Sequence, residues 1–258
     1  HDSSAALIKD GELIAASAEE RFSRRKHDPG FPELAIQFVL DQAGITIHDV
    51  DHIVFYEKPF VKLERMLVTA MATFPRSAAV FRESMQRWIT DKLWIKSMMQ
   101  KRLGVPSSKL LFCDHHMSHA ASSFYTSPFE EAAILTVDGA GEWSTATLGV
   151  GRGNKIEILD ELRFPHSLGL LYSAFTAYCG FEINEGEYKL MGMHPYGEPK
   201  YVDKIYELLH VAEDGSLWQD LKYFAYPYSR DSTLAAAFGK HFGKPARDPK
   251  HQDKSLDP

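Results

Sequence analysis

An apolar strand that breaks into a turn of small residues limits the folds open to this chain. Residues 134–137 predict a buried strand, and residues 144–150 alternate in polarity, which predicts the return strand of a hairpin. Small residues in the turn let backbone amides approach a phosphate, and a carboxylate at the strand end can hold a metal-bound water or a hydroxyl. The candidate phosphate-binding residues of the turn are Asp138, Gly139, Ala140 and Gly141.

This order of strand, Asp-Gly-x-Gly turn and strand resembles the phosphate-binding hairpin of the actin, sugar-kinase and Hsp70 superfamily. A Walker loop is a different structure, because it needs Gly-Lys-Ser/Thr at the start of a helix, and no such run occurs in this sequence. An ordinary hairpin with a small-residue turn explains the same residues. Taken alone, the pattern leaves a phosphate site and a purely structural turn both open.

Two histidines at the start of a predicted helix form the second chemical feature. Residues 110–113 predict a buried strand that breaks at Asp114, whose carboxylate we expect to cap the following helix. His115 and His119 are four residues apart and share one face of that helix, whereas His116 points away. Two imidazoles so placed can ligate one metal ion, as in the helical His-x-x-x-His of zinc proteases. Solvated histidines at a helix start are the alternative.

Composition and charge bound the class of protein. The 258 residues suffice for a substantial core and one or two domains, and 44% hydrophobic and 25% charged residues are ordinary for a globular protein. A net charge of −6 argues against a nucleic-acid or anionic-membrane partner, and no apolar run reaches the ~20 residues that span a bilayer. The two cysteines, Cys113 and Cys179, fit a reducing cytosol, so we expect a cytoplasmic protein.

The order of predicted elements indicates an α/β protein. A hairpin that turns at Asp10-Gly11 is followed by alternating helices and strands before the second hairpin. One α/β lobe followed by the start of a similar lobe is the architecture of the actin-like ATPase (ribonuclease H-like) fold. We assign residues 1–130 to the first lobe, with the metal-ligand helix, and residues 131–258 to the incomplete second lobe, with the phosphate-binding hairpin. Because the chain opens on a polar motif and ends without a closing element, we expect a fragment.

A glycine-punctuated stretch follows the second hairpin and the next helix. Residues 184–197 are too polar for a strand, and we predict a charged loop there. Lys189 lies among the glycines of this stretch, where it could reach a phosphate or a substrate. A surface turn that needs no ligand is the alternative, and composition alone favours it slightly.

Six runs of this sequence occur together in one protein family. In their order they resemble the amino-terminal part of the O-carbamoyltransferases of antibiotic and nodulation-factor biosynthesis, from the first residue to about residue 200. Several independent motifs in one order are far more specific than any one motif. The runs are His1–Ala6, Glu19–Arg24, Lys26–Asp28 with Phe31-Pro32, Asp114–Ala120, Val137–Glu142 and Glu187–Gly197.

The resemblance implies a domain akin to the threonylcarbamoyl transferases of tRNA modification. Such a domain passes a carbamoyl group from carbamoyl-adenylate to a hydroxyl of a small-molecule acceptor, and a second domain of the same polypeptide makes the adenylate from ATP and carbamoyl phosphate. The resemblance also implies that His115 and His119 are ligands of a divalent metal, with Fe²⁺ expected before Zn²⁺ or Mn²⁺. The family's third, carboxylate ligand is expected beyond residue 258.

The reaction also needs a base, because the acceptor hydroxyl is a weak nucleophile near neutral pH. His1 and Asp2, at the edge of the first hairpin, are the catalytic candidates, although neighbours on a strand point to opposite faces and form no relay by adjacency. Two other functions stay open on this fold: an ATP-dependent kinase or hinged nucleotide-binding module, and a tRNA threonylcarbamoyl transferase. The net acidity and the Glu-Glu-Arg-Phe and Lys-Leu-Met-Gly runs favour the small-molecule enzyme.

Overall fold

The computed structural model describes residues 2–90 and 92–248, which form a mixed α/β structure. The predicted mixed α/β class is confirmed, and the actin-like fold stays a prediction. The strands are β1 Ser4–Lys9, β2 Glu12–Ala18, β3 Ile53–Phe55, β4 Leu110–Phe112, β5 Glu131–Val137, β6 Ser144–Arg152, β7 Lys155–Arg163, β8 Leu209–Val211 and β9 Leu217–Gln219. β5, β6 and β7 form a three-stranded sheet, and the other strands pair as β1–β2, β3–β4 and β8–β9.

Helices connect these strands. They are α1 Glu20–Ser23, α2 Glu33–Ala43, α3 Pro59–Ala72, α4 Ala78–Thr90, α5 Ile95–Leu103, α6 His115–Phe124, α7 Leu168–Tyr178, α8 Glu187–Met193, α9 Val202–Tyr206 and α10 Ala236–Phe242. Within residues 2–90 and 92–248, none of these helices combines the length and the apolar character that a membrane crossing requires.

The chain divides into two compact units. The residues up to Val54, together with Lys96–Leu111, form the first unit; Phe55–Ile95 and the residues from Phe112 onward form the second. The helix α6, which carries both histidines of the predicted metal site, therefore belongs to the same unit as the β5–β6 hairpin. The lobes assigned from the sequence, 1–130 and 131–258, stay a prediction.

A hairpin and a capped helix make up most of the first unit. β1 and β2 pair antiparallel, and the backbone at Asp10 and Gly11 has φ values of 53° and 86°, the positive values that a two-residue hairpin turn requires. The predicted first hairpin is therefore confirmed. Glu19 is buried at the end of β2, and its carboxylate accepts the backbone N–H of Leu34 at 3.2 Å and of Ala35 at 2.8 Å. This acidic side chain thus caps the start of α2.

The β5–β6–β7 sheet and α6 form one core of the second unit. The antiparallel pairing of β5 with β6 continues to Val137, so the Asp-Gly-Ala-Gly turn follows the last pair directly, which confirms the predicted hairpin. Phe124 of α6 packs on the sheet beside Ile134. A Cβ at Gly151 would come within 2.6 Å of the Phe124 ring, so β6 needs a glycine at this point to let α6 approach.

A second core surrounds α7, whose start borders the hairpin turn. Ser167 caps the helix by accepting the backbone N–H of Leu170 at 3.0 Å. Tyr178 of α7 packs against Phe238 and Phe242 of α10, and Phe238 has no exposed surface. The packing of α7 on α10 therefore holds the first turn of α7 in a defined place.

The loop predicted over residues 184–197 is wrong for residues 187–196. The structure has the helix α8 there, followed by a short 3-10 turn at His194–Tyr196. Glu187 organises the start of α8, because its carboxylate accepts the backbone N–H of Asn184 and the hydroxyl of Ser173, both at 3.0 Å. The polar composition that indicated a loop belongs to a short helix that the Glu187 side chain anchors to α7.

His166 contributes a hydrogen bond that depends on its charge state. Its Nδ1 accepts the backbone N–H of Gln219 at 3.1 Å. Burial lowers the pKa of His166, because a charged imidazolium loses hydration inside the protein. A ring protonated on both nitrogens cannot accept a hydrogen bond, so the folded state favours the neutral form.

We expect this histidine to make the protein less stable in mild acid. The unfolded chain takes up a proton at its ordinary pKa of ~6.5, whereas the folded state resists it, so stability is lost as the pH falls below that value, by at most ~1.4 kcal/mol per pH unit. His166→Asn keeps an acceptor near the position of Nδ1 but does not titrate. Its free energy of unfolding in urea should therefore fall less than that of the wild type between about pH 7.5 and about pH 5.5. Equal losses in the two proteins would contradict the assignment.

Candidate metal and phosphate site

His115 and His119 lie at the start of α6, directly after the short strand β4. Their Nε2 atoms are 3.1 Å apart, so the two rings share one face of the helix as predicted. The His115 side chain is 17% exposed and that of His119 is 48% exposed. The pair is therefore anchored on the His115 side and open to solvent on the His119 side.

Asp138, at the end of β5, brings a carboxylate to both histidines. Its Oδ2 is 2.7 Å from Nε2 of His115 and 3.5 Å from Nε2 of His119. Its Oδ1 accepts the backbone N–H of Gly139 at 2.6 Å, which leaves Oδ2 directed at the rings. The hydrogen bond with His115 holds the pKa of this carboxyl well below its usual range. Asp138 therefore faces the histidines as an anion at neutral pH.

The three side chains fit a divalent metal ion. One donor atom from each of His115, His119 and Asp138 lies within 4.8 Å of the other two. In the metal-free protein, one proton on Nε2 of His115 has two competing acceptors, Oδ2 of Asp138 and the Nε2 lone pair of His119. A cation would interact with all three donor atoms at once, and two imidazoles with one carboxylate suit Fe²⁺ or Zn²⁺.

The prediction that the Asp114 carboxylate caps α6 is wrong. Asp114 occupies the N-cap position, but its side chain makes no capping hydrogen bond. Its carboxylate instead accepts from Nζ of Lys58 at 2.8 Å, a charge-assisted bond. The backbone N–H of His115 donates to the carboxylate of Glu142 at 3.0 Å. The capping carboxylate therefore comes from the end of the hairpin turn, 27 residues away along the chain.

His116 points away from the other two histidines, as predicted. Its Nδ1 lies 2.6 Å from the hydroxyl of Thr136, and that hydroxyl lies 2.6 Å from the hydroxyl of Thr147. All three side chains are buried between α6 and the sheet. Burial, and to a smaller extent the neighbouring His115, lowers the pKa of His116. This histidine is part of the core.

Gly141 and Gly169 allow close contacts between the turn and its neighbouring helices, whereas the space around Gly139 would accept a side chain. A Cβ at Gly141 would come within 3.0 Å of Cβ of His115, and a Cβ at Gly169 would come within 2.5 Å of the carbonyl oxygen of Asp138. At Gly139 the nearest atom to an added Cβ is in Leu170, at an ordinary contact distance of 3.6 Å. Gly141 thus lets the turn reach α6, and Gly169 lets it reach α7.

Two amides of the predicted phosphate-binding turn already have hydrogen-bond partners within the hairpin. Gly139 donates to Asp138, and Gly141 donates to the carbonyl oxygen of Ser144 at 3.0 Å. Ala140, between them, is half-buried. Lys189 lies on the exposed side of α8, with Nζ 5.9 Å from the centre of the Tyr188 ring. The phosphate roles of the turn and of Lys189 stay predictions.

Of the two catalytic candidates, Asp2 belongs to the first unit. His1 lies outside the described residues. Oδ1 of Asp2 lies 2.7 Å from Nδ1 of His27, and Glu20 accepts the backbone N–H of His27 at 2.9 Å. Asp2 therefore pairs with His27 of the Lys26–Asp28 run, to which the sequence assigned no chemical role, and the role of Asp2 as a base stays a prediction.

Sequence reasoning missed the residues that support the site. Besides Glu142, these include Arg65 of α3, whose Nη1 donates to the carbonyl oxygen of Gly141 at 2.8 Å. The Arg65 guanidinium also lies 5.0 Å from the centre of the Phe164 ring. Glu142 is the last residue of the run Val137–Glu142, so the sequence did indicate that it lies next to the turn. Nothing local indicated which backbone groups Glu142 and Arg65 would reach.

Comparisons with known proteins show what this chain is similar to. A family described as "Carbamoyltransferase N-terminus" matches residues 1–256. An uncharacterized protein of Synechocystis is 51% identical over 257 residues, which cover 96% of this chain and 42% of that protein. The nodulation protein NolNO of Sinorhizobium fredii is 36% identical over 218 residues, covering 81% of this chain and 30% of NolNO. The chain therefore spans less than half the length of these relatives.

We expect Gly141→Ala to weaken metal binding while Gly139→Ala does not. The added methyl at position 141 must displace His115, whereas the methyl at position 139 meets Leu170 at an ordinary contact distance. Displacement of a ligand by a supporting residue costs roughly 10-fold or more in metal affinity. A Zn²⁺ titration in competition with a chromophoric chelator measures both variants. Wild-type affinity in Gly141→Ala would show that the turn does not position His115.

Removal of one histidine should also lower the metal content. We expect His119→Ala to bind a divalent ion at least ~10-fold more weakly, because a direct ligand contributes no less than its supporting residues. His52→Ala, which removes an exposed histidine of the first unit, is the matched control and should keep the wild-type content. Elemental analysis after desalting provides the measurement. Equal metal in His119→Ala and the wild type would rule out this ligand.

Proposed function

Because this chain belongs to the carbamoyltransferase family, through the family's amino-terminal domain, we propose that it moves a carbamoyl group onto a hydroxyl of a small-molecule acceptor. The observation that carries the proposal is the convergence of His115, His119 and Asp138 beside the Asp-Gly-Ala-Gly turn. A donor set of this kind suits a step in which a phosphate leaves, since negative charge then has to be held at one point.

The three side chains are proposed to hold one divalent metal ion, with Fe²⁺ preferred and Zn²⁺ or Mn²⁺ as the other choices. When bound, the ion supplies positive charge to phosphate oxygens. The protein's own groups set its surroundings. The amide of Gly139 orients Asp138 through Oδ1, so that Oδ2 stays directed at the rings. The exposed side of His119 leaves an approach from solvent for a substrate.

The turn and Lys189 are proposed to contact the phosphate. The backbone amides of Gly139 and Gly141 already donate hydrogen bonds within the hairpin, so they are not free to donate to a phosphate. The proposed contribution of the turn is instead to let a phosphate come close to the backbone. Small residues still keep side chains away from an incoming phosphate. Lys189, on the exposed side of α8, is proposed to supply a further positive charge to the same group.

The proposed donor is carbamoyl-adenylate, made from ATP and carbamoyl phosphate. It is a mixed anhydride: the acceptor oxygen bonds to the carbamoyl carbon, the bond from that carbon to the phosphate oxygen of AMP breaks, and AMP leaves as an anion. The hydroxyl proton goes to a base, for which His1 and Asp2 remain the candidates. Asp2, held against His27, is the candidate that the described residues include.

The rest of the polypeptide is a further part of this proposal. The relatives extend well beyond the length that this chain covers, and we assign the synthesis of the adenylate to such an additional region. The proposed setting is the cytoplasm, where ATP and carbamoyl phosphate are both made. The acceptor is proposed to be a small hydroxylated molecule such as a sugar or a natural product.

Product analysis tests the function. We expect the intact polypeptide that carries these residues to convert a hydroxylated acceptor into its carbamate when ATP and carbamoyl phosphate are both supplied, and His119→Ala to lose most of this activity. Mass spectrometry distinguishes the carbamate from a phosphate ester. A kinase would phosphorylate the acceptor from ATP alone, so a phosphate ester formed without carbamoyl phosphate would overturn the proposal. Modification of tRNA in place of the small molecules would also contradict it.

A further inference from the structure

Glu142 is a buried carboxylate that the proposed reaction does not use. It is 6% exposed, at the end of the turn that begins with Asp138. Its Oε1 accepts the backbone N–H of Lys58 at 2.7 Å, and its Oε2 accepts the backbone N–H of His115 at 3.0 Å. Lys58 is the N-cap residue of α3, and His115 is the first residue of α6. One side chain therefore holds the starts of two helices.

These two helix starts have no local substitute for Glu142. The first amides of a helix lack partners within the helix and need an acceptor from elsewhere. Asp114, the residue best placed to cap α6, is bonded to the ammonium of Lys58. The side chain of Lys58 carries no acceptor for α3. Loss of the whole Glu142 side chain would thus leave both helix starts without this acceptor, whereas a glutamine keeps one acceptor oxygen and places an NH₂ donor where the carboxylate had its second oxygen.

Groups with positive charge or partial positive charge lie around the Glu142 carboxylate. The N-termini of α3 and α6 direct their partial positive charge at it. Arg65 lies close to the same turn, donating to the carbonyl oxygen of Gly141 and packing on Phe164. These contacts fix the end of the turn against α3, so the Glu142 carboxylate is held in place on both sides.

The two ends of the turn act on one histidine. Asp138 contacts the ring of His115, while Glu142 holds the backbone N–H of the same residue. Gly141, between them, lies so close that an added Cβ would come within 3.0 Å of His115. A movement of the first turn of α6 away from Glu142 would therefore separate His115 from Asp138.

We propose that Glu142 is a positioning residue that keeps His115 in place for metal binding by holding its backbone amide. The inference rests on the proposed function, because it concerns the same metal centre. Glu142 itself does not contact the metal; it acts through the position of α6. The hydrogen bonds to the starts of α3 and α6 predict that metal affinity depends on this carboxylate even when the fold is retained.

The test compares Glu142→Gln with Glu19→Gln. Glu19 is a buried carboxylate that also caps a helix, but it lies in the first unit and accepts the backbone N–H groups of Leu34 and Ala35. We expect both variants to unfold at lower urea concentration, whereas Zn²⁺ affinity falls by ~10- to 100-fold in Glu142→Gln alone. Glu142→Asp keeps the charge but shortens the reach, and it should show the same loss. It serves as the second variant should Glu142→Gln not fold.

A second readout uses the metal-free protein. The ring proton shared by His115 and Asp138 should exchange slowly with water in the wild type and in Glu19→Gln, and faster in Glu142→Gln, as measured by NMR. Wild-type Zn²⁺ affinity in a folded Glu142→Gln variant would overturn the positioning role. A wild type that binds no divalent ion would instead overturn the proposed metal centre, and the proton exchange rates would then decide the role of Glu142 by themselves.

Discussion

The contact between the hairpin turn after β5 and the first turn of α6 is the constraint on which the candidate site depends. Asp138 reaches the ring of His115 from the start of the turn, and Glu142 reaches its backbone amide from the end. Gly141 lets the two elements approach because it has no side chain. A change in either element would therefore alter the distance between the carboxylate and the imidazole that are proposed to share a metal ion.

Buried carboxylates at helix starts recur in this protein. Glu19 caps α2 in the first unit, and Glu142 holds the starts of α3 and α6 in the second. Burial of an anion is costly unless hydrogen bonds compensate for the lost water, and backbone amides at a helix start supply both donors and partial positive charge. The same physical arrangement thus stabilises a simple hairpin-helix contact in one unit and supports a candidate metal centre in the other.

The three metal ligands proposed within this chain come from one compact unit. His116, which adjoins the centre in sequence, belongs to the core through Thr136. The helical period explains why His116 is separated from His115 and His119. On a helix, residues four apart share a face, so His115 and His119 point to the turn, while the intervening His116 points to the sheet.

The sequence by itself determined the features that depend on short-range geometry. The helical period placed His115 and His119 on one face, and Asp-Gly signals located both hairpins. Local composition misled over residues 184–197, because the contacts of Glu187 with neighbouring elements stabilise a helix there. Only the tertiary structure decided that Asp138 joins the histidines from 23 residues away and that α6 is capped by Glu142. Such contacts depend on how α6 packs on the sheet, which no local pattern encodes.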